Sequence, residues 1–253
     1  MLYHDVVPQK NYAASGFSIP GADHYKLTEE QFEQHLQAIA AAVPRAPVRV
    51  IDDNWETSFL FTVDDGGSSA MHVADRLEAL GWRGHFLITT DYVARTGFLT
   101  ERQIRDLAAR GHVIGSHSSS HPLAMWDCSR DQLFAEWSDS RRRLEDILSG
   151  PVVVASVPAG AYVGKVGAAA AKAGLAFLFT SEPTREVGQI DGCRIVGRYG
   201  ITRITSPEIA AKLAGGDALT CWKQKAFWNT KKLAKRAAAK PYAAIRTRWL
   251  ERA

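Results

Sequence analysis

Apolar positions along this chain alternate between short β-type runs and stretches with helical spacing. The run Phe59-Leu60-Phe61-Thr62-Val63 has the character of a buried strand and ends abruptly in Asp64-Asp65-Gly66-Gly67. Met71, Ala74, Leu77 and Leu80 then keep helical spacing until Gly81, and residues 85–89 read as the next strand. Thr100-Glu101-Arg102-Gln103 is a capping box opening a helix through Ile104 and Leu107 to Gly111. Residues 112–115 give another strand, a helix from Ser129 runs through Leu133, Trp137, Leu144 and Leu148, and residues 151–155 are β-type again. An Ala-rich helix over 164–173 and strands over 177–180 and 194–196 continue the alternation. Upstream, the capping box Thr28-Glu29-Glu30-Gln31 opens a helix through Phe32, His35, Leu36 and Ile39 that ends before Pro44, and residues 48–55 suit a strand and turn. Residues 11–27 have no clear period and read as a surface loop able to rim a site. Repeated βα units predict a parallel sheet closed into a barrel, with the strand C-terminal ends converging on one face.

From about Ser206 the character changes. Ser206-Pro207-Glu208 starts a helix with Pro at its first position, and Gly215-Gly216 ends it. Residues 219–253 then hold ten Lys/Arg against one acid, Glu251, so +9 of charge sits on this arm while the whole chain carries only +4. Leu219, Trp222, Ala226 and Leu233 can share a helix face, with Trp228, Tyr242 and Trp249 nearby. Two readings stand side by side: a helix packed across the barrel with a solvated basic side, and a surface for anionic lipid headgroups or diphosphates. No base-reading motif accompanies the charge, so nucleic acid is not expected.

Composition bounds the class. At 253 residues, with 46% hydrophobic and 23% charged residues, the chain can bury a large core and suits one barrel-sized domain plus an appendage. No run approaches membrane-spanning length, and Met1-Leu2-Tyr3-His4-Asp5 lacks a basic region followed by an apolar core, which points to a cytoplasmic chain. Cys128, Cys193 and Cys221 are few, odd in number and widely spaced, and read as reduced thiols.

The candidate chemistry lies at two strand ends. Asp64 and Asp65 are neighbours, and successive strand residues point to opposite sides, so separate roles are expected unless the backbone twists there. An isolated Asp-Asp-Gly is more often a plain turn. The second cluster changes that reading: residues 112–115 empty into His117-Ser118-Ser119-Ser120-His121, two imidazoles four residues apart with small serines between them. On a helix-like turn that spacing turns both rings to one side, and two His with one carboxylate form a catalytic metal set with a coordination position left open.

Thr62-Val63-Asp64-Asp65-Gly66 resembles the Thr-Phe-Asp-Asp-Gly motif of the polysaccharide deacetylases (NodB homology, carbohydrate esterase family 4), and His117-Ser118-Ser119-Ser120-His121 resembles their His-Ser/Thr-x-x-His motif. The resemblance implies a distorted (β/α)7 barrel over residues 1–205 with a basic helical C-terminal extension over 206–253. It implies Asp64 as catalytic base and Asp65, His117 and His121 as ligands of a divalent metal, usually zinc. Ordinary members carry a Leu-x-His motif near the C-terminus, and all eight histidines here lie at or before residue 121. Leu2-Tyr3-His4 is similar to the element that a circularly permuted branch carries at the N-terminus, which makes His4 the general acid. Ser156-Val157-Pro158-Ala159-Gly160-Ala161-Tyr162 occupies the place of the family's Arg-x-Pro-x-Gly motif, which puts Pro158, Gly160 and Tyr162 on a substrate and oxyanion loop. Ser156 stands where that motif has Arg, the residue that orients the base, and Arg198 is a candidate to replace it. The implied activity is hydrolysis of an N-acetyl group from an amino sugar in a glycan or a lipid- or nucleotide-linked precursor. Hydrolysis of a formyl or small cyclic amide, and glycan binding without catalysis, are the alternatives. The partners expected are an N-acetylated saccharide and, through residues 219–253, an anionic membrane surface at the inner membrane face.

Overall fold

The computed structural model describes residues 1–237 apart from Pro20 and Ala161, with side chains through residue 230. Its strands are β1 (Leu2–Tyr3), β2 (Val6–Val7), β3 (Leu27–Thr28), β4 (Thr62–Val63), β5 (His85–Ile88), β6 (Val113–Ser116), β7 (Val154–Ser156), β8 (Phe177–Phe179), β9 (Val187–Ile190) and β10 (Cys193–Val196). The α-helices are α1 (Glu29–Ala42), α2 (Ala70–Glu78), α3 (Glu101–Ala109), α4 (Arg130–Leu148), α5 (Gly164–Lys172), α6 (Pro207–Ala214) and α7 (Ala218–Ala237).

Eight strands form one sheet in the order β1-β4-β5-β6-β7-β8-β10-β9, parallel throughout except for the β9–β10 hairpin. The sheet curls until the chain beyond β10 returns to β1. There Leu2 bridges Gly200 in parallel, with Leu2 N–H donating to Tyr199 O and Ile201 N–H to Leu2 O, both at 2.9 Å. This is the expected barrel in distorted form, since its strands are two to four residues long and its seam rests on one bridge. The helical stretches form where their caps predict: Thr28, Thr100 and Ser129 each close a full capping box at the start of α1, α3 and α4.

Two local expectations fail. Regular pairing in the central run begins only at Thr62, and residues 48–55 form no strand. The carboxylate of Asp52 accepts from Arg49 N–H at 2.9 Å and from the Arg49 guanidinium at 2.8 Å, so local side-chain hydrogen bonds satisfy a backbone that a ladder would otherwise have paired. In α7 the face toward the protein is Cys221, Gln224 and Trp228, while Leu219 and Trp222 turn outward at 59% and 64% exposure. Leu233, Tyr242 and Trp249 lie outside the residues whose side chains are described. Helix α6 is part of the core: Ala210, Ala211, Leu213 and Ala214 belong to the same cluster as Phe32, Leu36 and Ile39 of α1 and Tyr3, Phe61 and Val63 of the sheet.

The segment between β1 and α1 is strapped over the barrel end. Lys26 is buried, and its ammonium donates to the carbonyls of Tyr12, Ser15 and Phe17 at 2.6–2.7 Å. Asp5 accepts from Ser15 Oγ at 2.6 Å and Ser69 Oγ at 2.9 Å. A Cβ at Gly16 or Gly67 would come within 1.9 Å of this carboxylate, so both positions must be glycine for the strap to seat. No described helix is long and apolar enough to cross a membrane.

His85 is a core residue rather than a ligand. Its Nδ1 lies 2.9 Å from Phe61 O, which can only accept, and its Nε2 accepts from Val50 N–H at 2.9 Å. The ring is therefore neutral with its proton on Nδ1, and burial depresses its pKa from 6.5 to about 4. An unfolded chain takes up this proton as pH falls below 6.5 while the folded one resists until about 4. His85 should therefore cost the fold about 3 kcal/mol of stability that is absent above the upper end of that window, grows as pH falls through it and is complete at its lower end. Urea denaturation of the wild type and His85→Gln at pH 7 and pH 4 should give a smaller acid-induced loss in the variant.

Candidate active site

The C-terminal ends of β1, β4, β6 and β7 open on one mouth, and each delivers a polar residue to it. His4 follows β1, Asp64 and Asp65 follow β4, His117 follows β6, and Ser156 ends β7. Asp65 has φ +78°, a left-handed conformation that non-glycine residues adopt at a cost of about 1 kcal/mol or more. This is the twist that lets two adjacent carboxylates serve one site.

The two histidines converge by a different route from the one their spacing suggests. Residues 117–121 form no helical turn. Ser118 and His121 have φ +63° and +60°, and the loop between them is clamped from α4. Glu136 accepts from Ser119 N–H at 3.0 Å, from Ser120 N–H at 2.9 Å and from Ser120 Oγ at 2.6 Å, and Ser118 Oγ accepts from His121 N–H at 3.1 Å. Nothing in the local sequence signals Glu136, which sits sixteen residues downstream on another element.

Donor atoms of Asp65, His117 and His121 all lie within 4.8 Å of one another. His117 Nε2 is 3.3 Å and His121 Nε2 3.6 Å from Asp65 Oδ1. His117 Nδ1 lies 3.1 Å from the Ser156 carbonyl, which can only accept, so the proton of the neutral ring is on Nδ1 and the Nε2 lone pair faces the carboxylate. Two acceptors face to face repel unless a cation lies between them. Tetrahedral coordination at about 2.0–2.1 Å spaces its ligand atoms about 3.3 Å apart, so this donor set fits a divalent ion such as zinc. Burial works to raise the Asp65 pKa, but a proton taken up by His117 on Nε2 would be donated to this carboxylate, and that bond together with positive charge on the surrounding imidazoles holds the carboxyl well below its usual range. Burial and the neighbouring His117 push His121 down to about 4, which leaves its ring neutral and able to ligate at ordinary pH.

Asp64 is held apart from that cluster. Arg198 grips it with both guanidinium ends, Nη1 to Oδ1 at 2.7 Å and Nη2 to Oδ2 at 2.8 Å. The Ser156 hydroxyl donates to Asp64 Oδ1 at 3.2 Å and lies 2.6 Å from His117 Nδ1. Ser156 thus stands where the motif would have Arg, and Arg198 reaches the carboxylate from beyond β10. The close approach needs Gly197, where a Cβ would lie 2.5 Å from Glu182 O. Burial acts to raise the Asp64 pKa, yet the Arg198 charge and hydrogen bonds win, keeping Asp64 ionised.

His4, directly after β1, opens on the same mouth. Its Nδ1 is buried with no hydrogen-bond partner among the described residues, and its ring tilts against Tyr25 at 5.0 Å. Phe17 packs on His121 at 4.6 Å, so the loop expected to rim the site does so from both sides. Pro158 and Gly160 follow β7 in a tight turn with Ala159 at φ +54° and Gly160 at φ +64°. The Tyr162 hydroxyl turns toward Gly167 of α5, so its side chain packs away from the mouth.

Residues 52–178 match the family described as polysaccharide deacetylase, which is half of the chain. The chain belongs to the polysaccharide deacetylase family. It is accordingly a hydrolase of carbon–nitrogen bonds other than peptide bonds. YxkH of Bacillus subtilis (strain 168), itself named a polysaccharide deacetylase, is 23% identical over 208 residues, covering 78% of this chain and 72% of its own. Among solved structures, the polysaccharide deacetylase BC0361 from Bacillus cereus superposes with a TM-score of 0.67 at 20% identity over 84% of this chain and 67% of its own. IcaB from Ammonifex degensii gives 0.66 at 19% identity over 84% and 95%. At these identities the superpositions speak for the fold.

If Glu136 sets the loop that carries His121, Glu136→Ala should keep the deacetylase folded while weakening divalent-ion affinity about 10- to 100-fold. Asp65→Ala, His117→Ala and His121→Ala should each remove stoichiometric binding altogether. Calorimetric titration with zinc, and metal analysis after dialysis, measure both.

Proposed function

We propose that this deacetylase removes the acetyl group from an N-acetylated amino sugar, with Asp64 as base, His4 as acid, and Asp65, His117 and His121 holding a divalent ion. One observation carries the reading: a buried ionised carboxylate, Asp64, lies beside a three-donor cation cluster without belonging to it. A structural site would need only the cluster. A hydrolase also needs a proton acceptor next to it.

When bound, the ion supplies Lewis acidity toward water and toward an amide carbonyl oxygen. Asp64 accepts the proton of the attacking water on a carboxylate oxygen, and Arg198 fixes the plane of that carboxylate throughout. His4 gives a proton to the departing nitrogen, which leaves as the free amine of the sugar. Backbone around Pro158, Gly160 and Tyr162 provides the donors for oxygen charge that develops at the carbonyl. Phe17 and Tyr25 keep bulk water from the two histidines they touch. The products are acetate and an amino sugar, within a glycan or on a lipid- or nucleotide-linked precursor.

Asp64→Asn should retain the divalent ion at full stoichiometry and lose turnover about 10²- to 10⁴-fold, because the proton acceptor is gone while the ligands remain. Acetate release from N-acetylated amino-sugar oligomers, measured beside metal content, tests this. Near-normal acetate release would remove Asp64 from the mechanism, and formate release from an N-formyl analogue in place of acetate would reassign the acyl group.

A further inference from the structure

We infer that the exposed ring of Tyr25 is the ledge on which the sugar stacks while its acetyl group is removed, so the site is built for an amide carried on a pyranose and not for a small amide by itself. The inference rests on the proposed roles of Asp64 and His4.

The chemistry fixes where the sugar must lie. A general acid protonates the departing nitrogen only from within about 3 Å, so the leaving group, and with it the ring bonded to that nitrogen, lies on the His4 side of the mouth. Side chains that meet His4 and face solvent therefore meet the sugar. Tyr25 is in that position: its ring centroid is 5.0 Å from that of His4, and the residue is 39% exposed. Phe17 makes the matching contact on His121 at 4.6 Å, but it also packs edge-on against Tyr92 and Phe98 and is only 7% exposed. Packing accounts for Phe17. It leaves the Tyr25 ring in contact with the proposed acid and open to solvent.

The backbone on both sides of that ring is anchored. Tyr25 ends the 3₁₀ turn Ala22–Tyr25, and His24 O at its start accepts from Arg203 N–H at 3.0 Å. After it, buried Lys26 bonds three carbonyls of the strap, and Leu27 pairs with Val6 while its N–H donates to Asp5 O at 3.1 Å, one residue beyond His4. Acid and ring are thus carried on the paired strands β2 and β3, and the ring is held in place without being covered. A surface ordered in advance loses little freedom when a ligand stacks on it. Ile19 of the same strap is 42% exposed, and Ile204, next to the Arg203 that holds His24, is 78% exposed, so the apolar edge continues past Tyr25. A pyranose turns C–H bonds toward a face of its ring, and that face packs on an aromatic ring while the hydroxyls at its edge stay in water. A small amide has no such face and would leave the ledge empty.

Two measurements on the zinc-loaded full-length protein test the inference: acetate release from tetramers of N-acetylglucosamine and of N-acetylgalactosamine, and calorimetric binding of the same tetramers, beside ring-free N-acetylethanolamine, to Asp64→Asn. Tyr25→Ala is expected to raise the tetramer KM about 10-fold with kcat held within about two-fold, and to weaken tetramer binding by the same factor. Zinc affinity and thermal unfolding should stay at wild-type values. Tyr25→Phe and Tyr25→Trp, which keep an aromatic ring, should restore both KM and affinity. Unchanged KM and affinity in Tyr25→Ala overturn the inference. So does a loss confined to kcat with a displaced alkaline limb of the pH profile, since the ring would then act only as a packing partner of His4. If the wild type releases no acetate, the proposed acyl group fails and calorimetry still decides the ledge: tetramers that bind no tighter than N-acetylethanolamine, or that bind independently of Tyr25, overturn it, and binding lost in Tyr25→Ala upholds it.

Discussion

The buried ion pair between Asp64 and Arg198 organises this protein. Both side chains are about 2% exposed, so each would be prohibitively placed without the other. Arg198 spends its remaining donors on Thr180 O at 3.0 Å and Thr62 Oγ1 at 2.9 Å, and Ser156 adds a bond to the carboxylate. One guanidinium thus ties together β4, the end of β8 and the chain beyond β10, with β7 joined through Ser156. That last segment is also the one that closes the barrel on Leu2. Losing either partner would leave an uncompensated buried charge, at about 3–5 kcal/mol, so the pair that keeps the proposed base ionised also holds the seam of the fold.

Around this pair the site is built from strained or clamped backbone. Asp65, Ser118 and His121 all sit at positive φ, and none is glycine. Their side chains are needed at the cluster, so the local cost is met by hydrogen bonds elsewhere: Glu136 on the loop between the histidines, Ser156 on His117, and Thr89 N–H on Asp65 O at 3.3 Å. The same logic governs the strap that carries His4. A buried lysine coordinated by three carbonyls and a buried aspartate seated between two glycines hold the segment whose Phe17 and Tyr25 border the mouth.

Much of this could be read along the chain. The alternation of β and α stretches, the capping boxes at Thr28, Thr100 and Ser129, and the carboxylate and histidine motifs at strand ends are short-range features. A few neighbouring residues determine them, so they survive without knowledge of the fold. The reading failed in two places, once to a local side-chain bond and once to a long-range contact. Residues 48–55 have strand-like composition, but Asp52 captures the Arg49 backbone first. The outward face of α7 was legible as an apolar stripe, but the side that meets the barrel is the one carrying Cys221, Gln224 and Trp228.

The sequence by itself determined which residues could do the chemistry, because metal-ligating and proton-accepting groups are recognisable by type and by their place after β runs. It could name Arg198 only as a candidate and could not name Glu136 at all. Those partners lie 134 residues from Asp64 and 16 from Ser120 along the chain. Only the closure of the sheet brings the end of β4 beside the chain beyond β10, and only the packing of α4 on β6 aims a carboxylate at the loop between the histidines. Tertiary structure therefore decided what tunes the site: burial, charge and hydrogen bonds act through distance in space, and spacing along the chain does not encode that distance once a barrel has closed.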